Sequence, residues 1–469
     1  MRLNTSIYQV VFVLAMILSG SAALLTPINA LGADPFDTEA DITKGRLDIA
    51  DNICNREKIR NSLSLGDVVD LALCNNPQTR SLWSAARVQA AQMGVYTAAY
   101  LPTLSAQASV TKNFPVTGGQ TQDNYTNKNA NLSASYLLYD FGGRSATLEN
   151  SKQLLIAVNA TRDATLQSNY LSAVQAYYAL LSARASVSSY KTAEASARES
   201  LAAAVARYQA GVATPVDKLQ AQTTLSQATF NRINAEGTER SAQGTLANIM
   251  GFDATQTYSV QAVTEVTPDP VIEQDIGKLI ADARQKRPDL AAAESQIKAA
   301  ETQLDSIRAT GRPVISLGAM TGVTDVTNSP DSSYSNIGIY LNVPLFSGFK
   351  TNYQIRSAQA QLEGKVAERD RLANQVALDV WKAYQGMLSY SQALRSADDL
   401  VAAAEQSEKM ILGRYKAGVG NILDTLTAQS TLASAHQQRV GALYNFLFSR
   451  FALAQAIGQL DLTQLESRN

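Results

Sequence analysis

Two long tracts of the chain carry apolar residues at alternating spacings of four and three. In the first these are Leu166, Tyr170, Ala173, Tyr177, Leu180, Arg184 and Val187, with one charged member; in the second they are Ala373, Ala377, Val380, Tyr384 and Met387. Such a stripe is the seam of a coiled coil. Both tracts are rich in Ala, Leu, Gln, Arg and Glu, which lose little side-chain freedom in a helix. Prolines avoid both: of twelve, none lies between Pro115 and Pro215 and none follows Pro344. A helix from Arg144 to Gly211 would be about 100 Å long at 1.5 Å per residue, too long for a compact domain and suited to a rod or tube wall.

Between the helical tracts the period changes to two. Leu104–Val110 and Asn131–Tyr136 alternate apolar and polar residues, as do 314–323 and 335–345, where Ile337, Ile339, Leu341, Val343 and Leu345 share one face. These read as strands at about 104–113, 129–139, 314–323 and 335–345, paired across turn-rich loops at 113–128 and 324–334. Strands of about ten residues cross a bilayer when tilted; ordinary surface hairpins are the alternative. Four strands cannot close a barrel, and lipid does not tolerate open edges, so membrane strands here would require several subunits to share one barrel.

The chain is internally duplicated. Arg207–Gln222 recurs as Arg414–Gln429 with nine of sixteen residues identical at a shift of 207, and that shift holds from Tyr177/Tyr384 to Gly251/Gly458. Upstream, Asn76-Pro77 and Leu101-Pro102 align with Arg287-Pro288 and Arg312-Pro313 at a shift of 211. The difference falls among strands and loops, where insertions are tolerated. Each copy reads helix, proline, two strands, glycine turn, long helix, sharp turn, long helix. The glycine turns are Asp140–Arg144 and Phe346–Lys350. At the sharp turns Gly211 and Gly418 suit a left-handed C-cap. Thr214, Pro215 and Asp217 then restart one helix, and Asn421 and Asp424 are expected to repeat that capping. The expected organisation is an N-terminal extension at 34–62, a first repeat at 63–257 with its helical hairpin at 144–250, a connecting or equatorial segment at 258–275, and a second repeat at 276–465 with its hairpin at 350–460.

Composition narrows the function. Across 469 residues the net charge is −1, which supplies no basic field for nucleic acid. One histidine and two cysteines make a His/Cys metal centre or a Cys–His nucleophile improbable, and no cluster of nucleophile, base and orienting group is visible, so no catalytic residue, metal or cofactor is assigned. Arg2, the apolar run Val10–Leu18 and the small residues up to Leu31-Gly32-Ala33 read as an export signal over 1–33. An uncleaved anchor is the alternative, although the apolar core is short for a span. No later stretch reaches the ~20 apolar residues of a transmembrane helix. The mature chain is therefore either soluble outside the cytoplasm or held in a membrane by strands.

The doubled architecture, the Asn-Pro and Leu-Pro punctuation and the two Arg-Tyr-x-Ala-Gly-Val turns together resemble the TolC family of outer-membrane efflux and secretion ducts, from about Leu63 to Leu465. The resemblance implies a mainly α fold with a small β part: duplicated long antiparallel helical hairpins forming an α-barrel, and four membrane strands per subunit. In a homotrimer these would form a shared 12-stranded β-barrel in outer-membrane lipid, with the helices running through the periplasm. It also implies a passive duct served by a periplasmic adaptor (membrane fusion) protein and an inner-membrane ABC or proton-driven pump. The adaptor would meet the hairpin tips, Arg207, Tyr208, Gly211, Val212, Arg414, Tyr415, Gly418 and Val419; simple turn chemistry accounts equally for the two glycines.

In the family, aspartates of the second repeat ring the periplasmic entrance, and Asp424 aligns with the first of them. The next acidic position is Thr427 here, a tip arginine that locks some relatives shut is Gly420, and Tyr415 aligns with another latch residue. A plain reading of Asp424 as a third-position helix residue facing backbone donors is compatible with the entrance role. In the oxidising periplasm Cys54 and Cys74 are expected to pair, closing a loop of about twenty residues worth roughly 3 kcal/mol, two buried free thiols being the alternative. With Leu73-Cys-Asn-Asn-Pro77 they look more like members that export proteins in type I secretion than like small-drug efflux ducts. A periplasmic coiled-coil adaptor is the competing class, but such proteins carry a single hairpin among lipoyl-like and barrel segments.

Overall fold

The computed structural model describes residues 34–42, 62–118, 120–121, 123–262, 275–327 and 329–460. The export signal at 1–33, most of the N-terminal extension, Cys54, 263–274 and the residues after 460 lie outside them. In chain order the elements are α1 (Leu65–Asn75), α2 (Pro77–Ala98), β1 (Thr103–Asn113), β2 (Val116–Thr117), β3 (Gln120–Thr121), β4 (Tyr125–Tyr139), α3 (Gly143–Gln209) and α4 (Pro215–Ile249). The second copy follows as α5 (Ile276–Lys286), α6 (Pro288–Ala309), β5 (Val314–Val326), β6 (Ser332–Asn342), α7 (Lys350–Lys416) and α8 (Ile422–Ala456). Corresponding hairpin helices are equal in length, 67 residues for α3 and α7 and 35 for α4 and α8. No helix of the described residues is long and apolar enough to cross a membrane.

The residues fall into two compact units. One holds the strands with the adjoining parts of α2, α3, α6 and α7. Its sheet is antiparallel in the order β1-β4-β5-β6, so the two copies join at β4–β5. Cross-strand partners share a face, and the register sorts them cleanly. One face carries Leu104 opposite Ala134, Ala134 opposite Ala319 and Ala319 opposite Ile337; the next rows bring Tyr136, Leu317 and Ile339 together. The other face carries Ser105 opposite Ser133, Ser133 opposite Met320 and Met320 opposite Asn336, and is made largely of Ser, Asn and Gly. On that polar face Tyr340 and Tyr334 lie over Gly318 and Gly322, where a Cβ would come within 2.7 Å of the Tyr340 ring and 2.8 Å of the Tyr334 hydroxyl. Near the loop end, Lys128 pairs with Asp325 at 2.9 Å and closes off the apolar face. Strand β6 ends at Asn342, earlier than the expected 345, because Pro344 has no N–H to donate to a ladder. Both edges, β1 and β6, are unpaired among the described residues.

The other unit holds the remaining helices and the main core. The first expected seam is buried there: Leu166, Tyr170, Ala173, Tyr177, Leu180 and Val187 are all at most 5% exposed, whereas in the second only Val380 and Tyr384 are buried and Ala373, Ala377 and Met387 are half-buried. Arg184, the charged member of the stripe, reaches Glu239 of α4 at 3.2 Å. Helix α1 starts with a capping box, Ser64 accepting from the Asp67 N–H at 3.2 Å while Asp67 accepts from the Ser64 N–H at 2.8 Å. Its buried face, Val68, Val69, Ala72 and Leu73, packs into the same core as Leu246 and Met250. Leu63 is bridged to Val260, donating its N–H to the Ser259 carbonyl at 2.9 Å. Cys74 is disulfide-bonded.

The two copies repeat one close contact. Gly251 ends α4 with φ +78°, and a Cβ there would lie 2.7 Å from the Asn75 carbonyl oxygen; Gly458 follows α8 with φ +70°, and its Cβ would lie 2.9 Å from the Lys286 carbonyl carbon. Asn75 and Lys286 are the last residues of α1 and α5, each two before the proline that opens the next helix. Glycine at 251 and 458 and proline at 77 and 288 are thus two halves of one junction, in which a chain turn seats directly on a proline-broken helix end.

Candidate functional site: the paired hairpin tips

Each tip is built from the same backbone device. Gly211 and Gly418 take φ of +77° and +85°. The Val212 and Val419 N–H groups then donate back to the Arg207 and Arg414 carbonyls, both at 3.0 Å, closing the last turn of α3 and of α7. Helix α4 restarts with a full capping box: Thr214 accepts from the Asp217 N–H at 3.3 Å, and Asp217 accepts from the Thr214 N–H at 2.9 Å.

The second tip departs from the expected repetition. Asn421 caps α8 by accepting from the Leu423 N–H at 3.1 Å, and Asp424 does not reach back to the Asn421 backbone. An asparagine whose side chain bonds one residue earlier leaves the third-position carboxylate without that role. Asp424 instead lines a groove of about 410 Å³ between α7 and α8 together with Arg414, Gly420 and Thr427. The four second-tip residues singled out from the family pattern therefore include three on one cavity wall. Tyr415 stands apart, buried at 4% exposure among Ala204, Ala221, Ile422 and Leu426.

Equivalent residues of the two tips behave oppositely. Tyr208 is 41% exposed, whereas Tyr415, its counterpart 207 residues on, is buried. Arg414 is exposed, but Arg207 crosses between the hairpins. Its guanidinium sits 4.7 Å from the Tyr415 ring centroid and donates to the Tyr415 carbonyl at 2.9 Å. Beside it Lys416 pairs with Glu199 at 2.9 Å on the surface, and the Ser200 hydroxyl donates to Gln429 at 3.0 Å. The Tyr415 hydroxyl is buried without a hydrogen-bond partner among the described residues, and desolvation raises its pKa against the lowering effect of Arg207.

Gly420 is fixed by contact as well. A Cβ at this position would lie 2.7 Å from the Tyr415 nitrogen, so the turn folds onto the end of α7 only with glycine. Tyr208, Gly211, Val212, Gly418 and Val419 are all exposed at the tips. Sequence reasoning found these positions but missed the Arg207–Tyr415 clasp and the Gly420 contact. Two identical Arg-Tyr motifs give no sign of which arginine will cover which tyrosine.

Duplicated helical hairpins joined to a two-faced sheet of membrane-length strands define a channel-forming subunit, mainly helical with a small strand part. The chain belongs to the outer membrane efflux protein family, whose pattern matches residues 68–252 and 279–459, and it is an outer-membrane channel of the TolC type. Protein CyaE of Bordetella pertussis is 29% identical over 408 residues, 86% of each chain. Outer membrane protein TolC of Escherichia coli is 23% identical over 87% of this chain and 84% of its own. Among solved structures, the outer-membrane channel OprN superposes with a TM-score of 0.75 at 20% identity, covering 84% of this chain and 90% of that one. CusC, described as forming a transmembrane channel, also gives 0.75, at 18% identity over 84% and 92%.

Proposed function

We propose that three copies of this chain form a passive exit duct across the outer membrane, with their helices in the periplasm. The observation that carries the reading is the sheet. Its four strands have 11, 15, 13 and 11 residues, enough to span a bilayer, and one face is apolar across all four. Among the described residues both edge strands are left unpaired, and in lipid every such backbone group needs a partner. Further copies supply it, and three copies give a closed barrel of twelve strands. The small, hydroxyl- and amide-bearing face then lines the lumen.

The exposed tips, with Tyr208, Val212, Arg414 and Val419, are the surface for a periplasmic adaptor tied to an inner-membrane ABC or proton-driven pump. The resemblance at Cys54, Cys74 and Leu73–Pro77 favours protein cargo in type I secretion over small-molecule efflux. Membrane fractionation with crosslinking tests the assembly: a heat-resistant trimer in the outer membrane is expected, and a soluble periplasmic monomer would refute it. Cargo is tested by deleting the protein and comparing secreted proteins with drug sensitivity.

Asp424, Gly420, Thr427 and Tyr415 form the entrance in this reading. Three Asp424 carboxylates around a narrow axis would favour cations. Asp424→Ala should lower cation preference in single-channel recordings with the trimer intact; unchanged selectivity would remove Asp424 from the entrance.

A further inference from the structure

In the helical unit a cavity of about 620 Å³ opens between α3, α4 and α8, away from the tips. This is within the size range of small-ligand sites. Its lining contains no charged residue, so an ionic ligand entering it would lose water without compensation. Tyr178, Tyr444 and Phe448 supply aromatic surface, and Asn231, Asn234 and Gln437 supply amides. Tyr178 and Tyr444 pack with ring centroids 6.2 Å apart.

The hydrogen-bonding groups are partly unspent. Tyr178 is only 7% exposed, yet its hydroxyl makes no hydrogen bond among the described residues, although the residue lines the cavity. Burial pushes this phenol up to about 12, which keeps it a neutral donor at physiological pH. Asn234 stands exposed at the rim, its amide unbonded among the described residues. Each amide offers donors and an acceptor side by side, a match for neighbouring hydroxyls, while aromatic faces suit the C–H faces of a sugar ring. The first-repeat part of the lining is not reproduced in the second repeat. At the shift of 207, Tyr178 becomes Gln385, Asn234 becomes Gly441, and the cavity's Gln175 becomes Lys382. Duplication alone therefore does not explain it.

We propose that this cavity binds a short uncharged segment of a glycan chain, its rings against Tyr178, Tyr444 and Phe448 and its hydroxyls on Asn231, Asn234 and Gln437. The proposal stands on the cavity and does not depend on what the duct carries.

The test uses the assembled protein in lipid nanodiscs with chitotriose, an uncharged N-acetylglucosamine trimer. Saturation-transfer NMR should show the sugar binding, and Tyr178→Phe combined with Asn234→Ala should weaken it at least tenfold without changing assembly or thermal stability. Asn234→Cys labelled with a maleimide should react in the sugar-free protein and be protected by chitotriose. No saturation transfer, equal binding by the double variant, or equal binding of a sulfated oligosaccharide would overturn the proposal. So would failure of Asn234→Cys to react in the sugar-free assembly, which would show that a second copy of the chain fills the cavity.

Discussion

At the scale of single residues, the two hairpin tips are joined by a clasp. Arg207 spends its guanidinium on both the Tyr415 ring and the Tyr415 carbonyl. A charge-assisted hydrogen bond of this kind is worth about 1.5–3 kcal/mol, and each 1.4 kcal/mol is tenfold in an equilibrium. Arg207→Ala should therefore raise the open fraction of the assembled channel at least tenfold, read as conductance at low voltage; unaltered conductance would show that the clasp does not hold the entrance. Glu194 is the corresponding staple inside the first hairpin. It accepts from the Thr229 hydroxyl at 2.8 Å and pairs with Arg232 at 2.6 Å. The Thr229 bond, followed by Arg232, holds its carboxyl below the ordinary 4.5. A lowered folded-state pKa gives stability that is present above 4.5 and lost as pH falls through the folded value. Glu194→Gln should flatten the acid-side fall of the melting temperature, measured by scanning from pH 6 to pH 3.

At the scale of elements, the junctions matter more than the helices they join. Gly251 combines a left-handed backbone with a backbone neighbour where a Cβ would sit. Alanine there faces about 1–2 kcal/mol for the left-handed conformation and about 1–3 kcal/mol for overpacking. Gly237, in the middle of α4, has open space within 4 Å of where a methyl group would sit, and alanine there should stabilise by about 1 kcal/mol. Chemical denaturation should show Gly251→Ala and Gly237→Ala moving in opposite directions. These junctions were half legible: the proline and glycine punctuation recurs in the sequence, but their contact does not, because it joins residues 176 positions apart. The short pair β2 and β3 inside the first strand loop was not foreseen, since two-residue strands carry no period to detect.

At the scale of the whole molecule, the two-faced sheet predicts an asymmetric tolerance to charge. A lipid-facing lysine near the middle of a membrane barrel costs about 2–4 kcal/mol. Ile339→Lys on the apolar face should reduce barrel assembly, whereas Asn336→Asp on the opposite face of the same strand should assemble normally and alter conductance. Heat-resistant trimer on gels reads the first effect, and single-channel recording the second. Equal assembly of both variants would place neither face against lipid.

The sequence by itself determined the duplication, the long helices, the membrane-length strands and the turn positions. Each of these is written in local periodicity or in residues such as Pro and Gly whose backbone limits act within a turn. Tertiary structure decided the rest. It chose Arg207 over Arg414 as the clasp, buried Tyr415 while exposing Tyr208, released Asp424 from capping, and gathered an uncharged aromatic cavity from three helices. Two copies of one motif begin with the same local preferences. Their surroundings differ once each hairpin packs against the other, and burial and charge pairing act on those surroundings, which no repeat within one strand of sequence encodes.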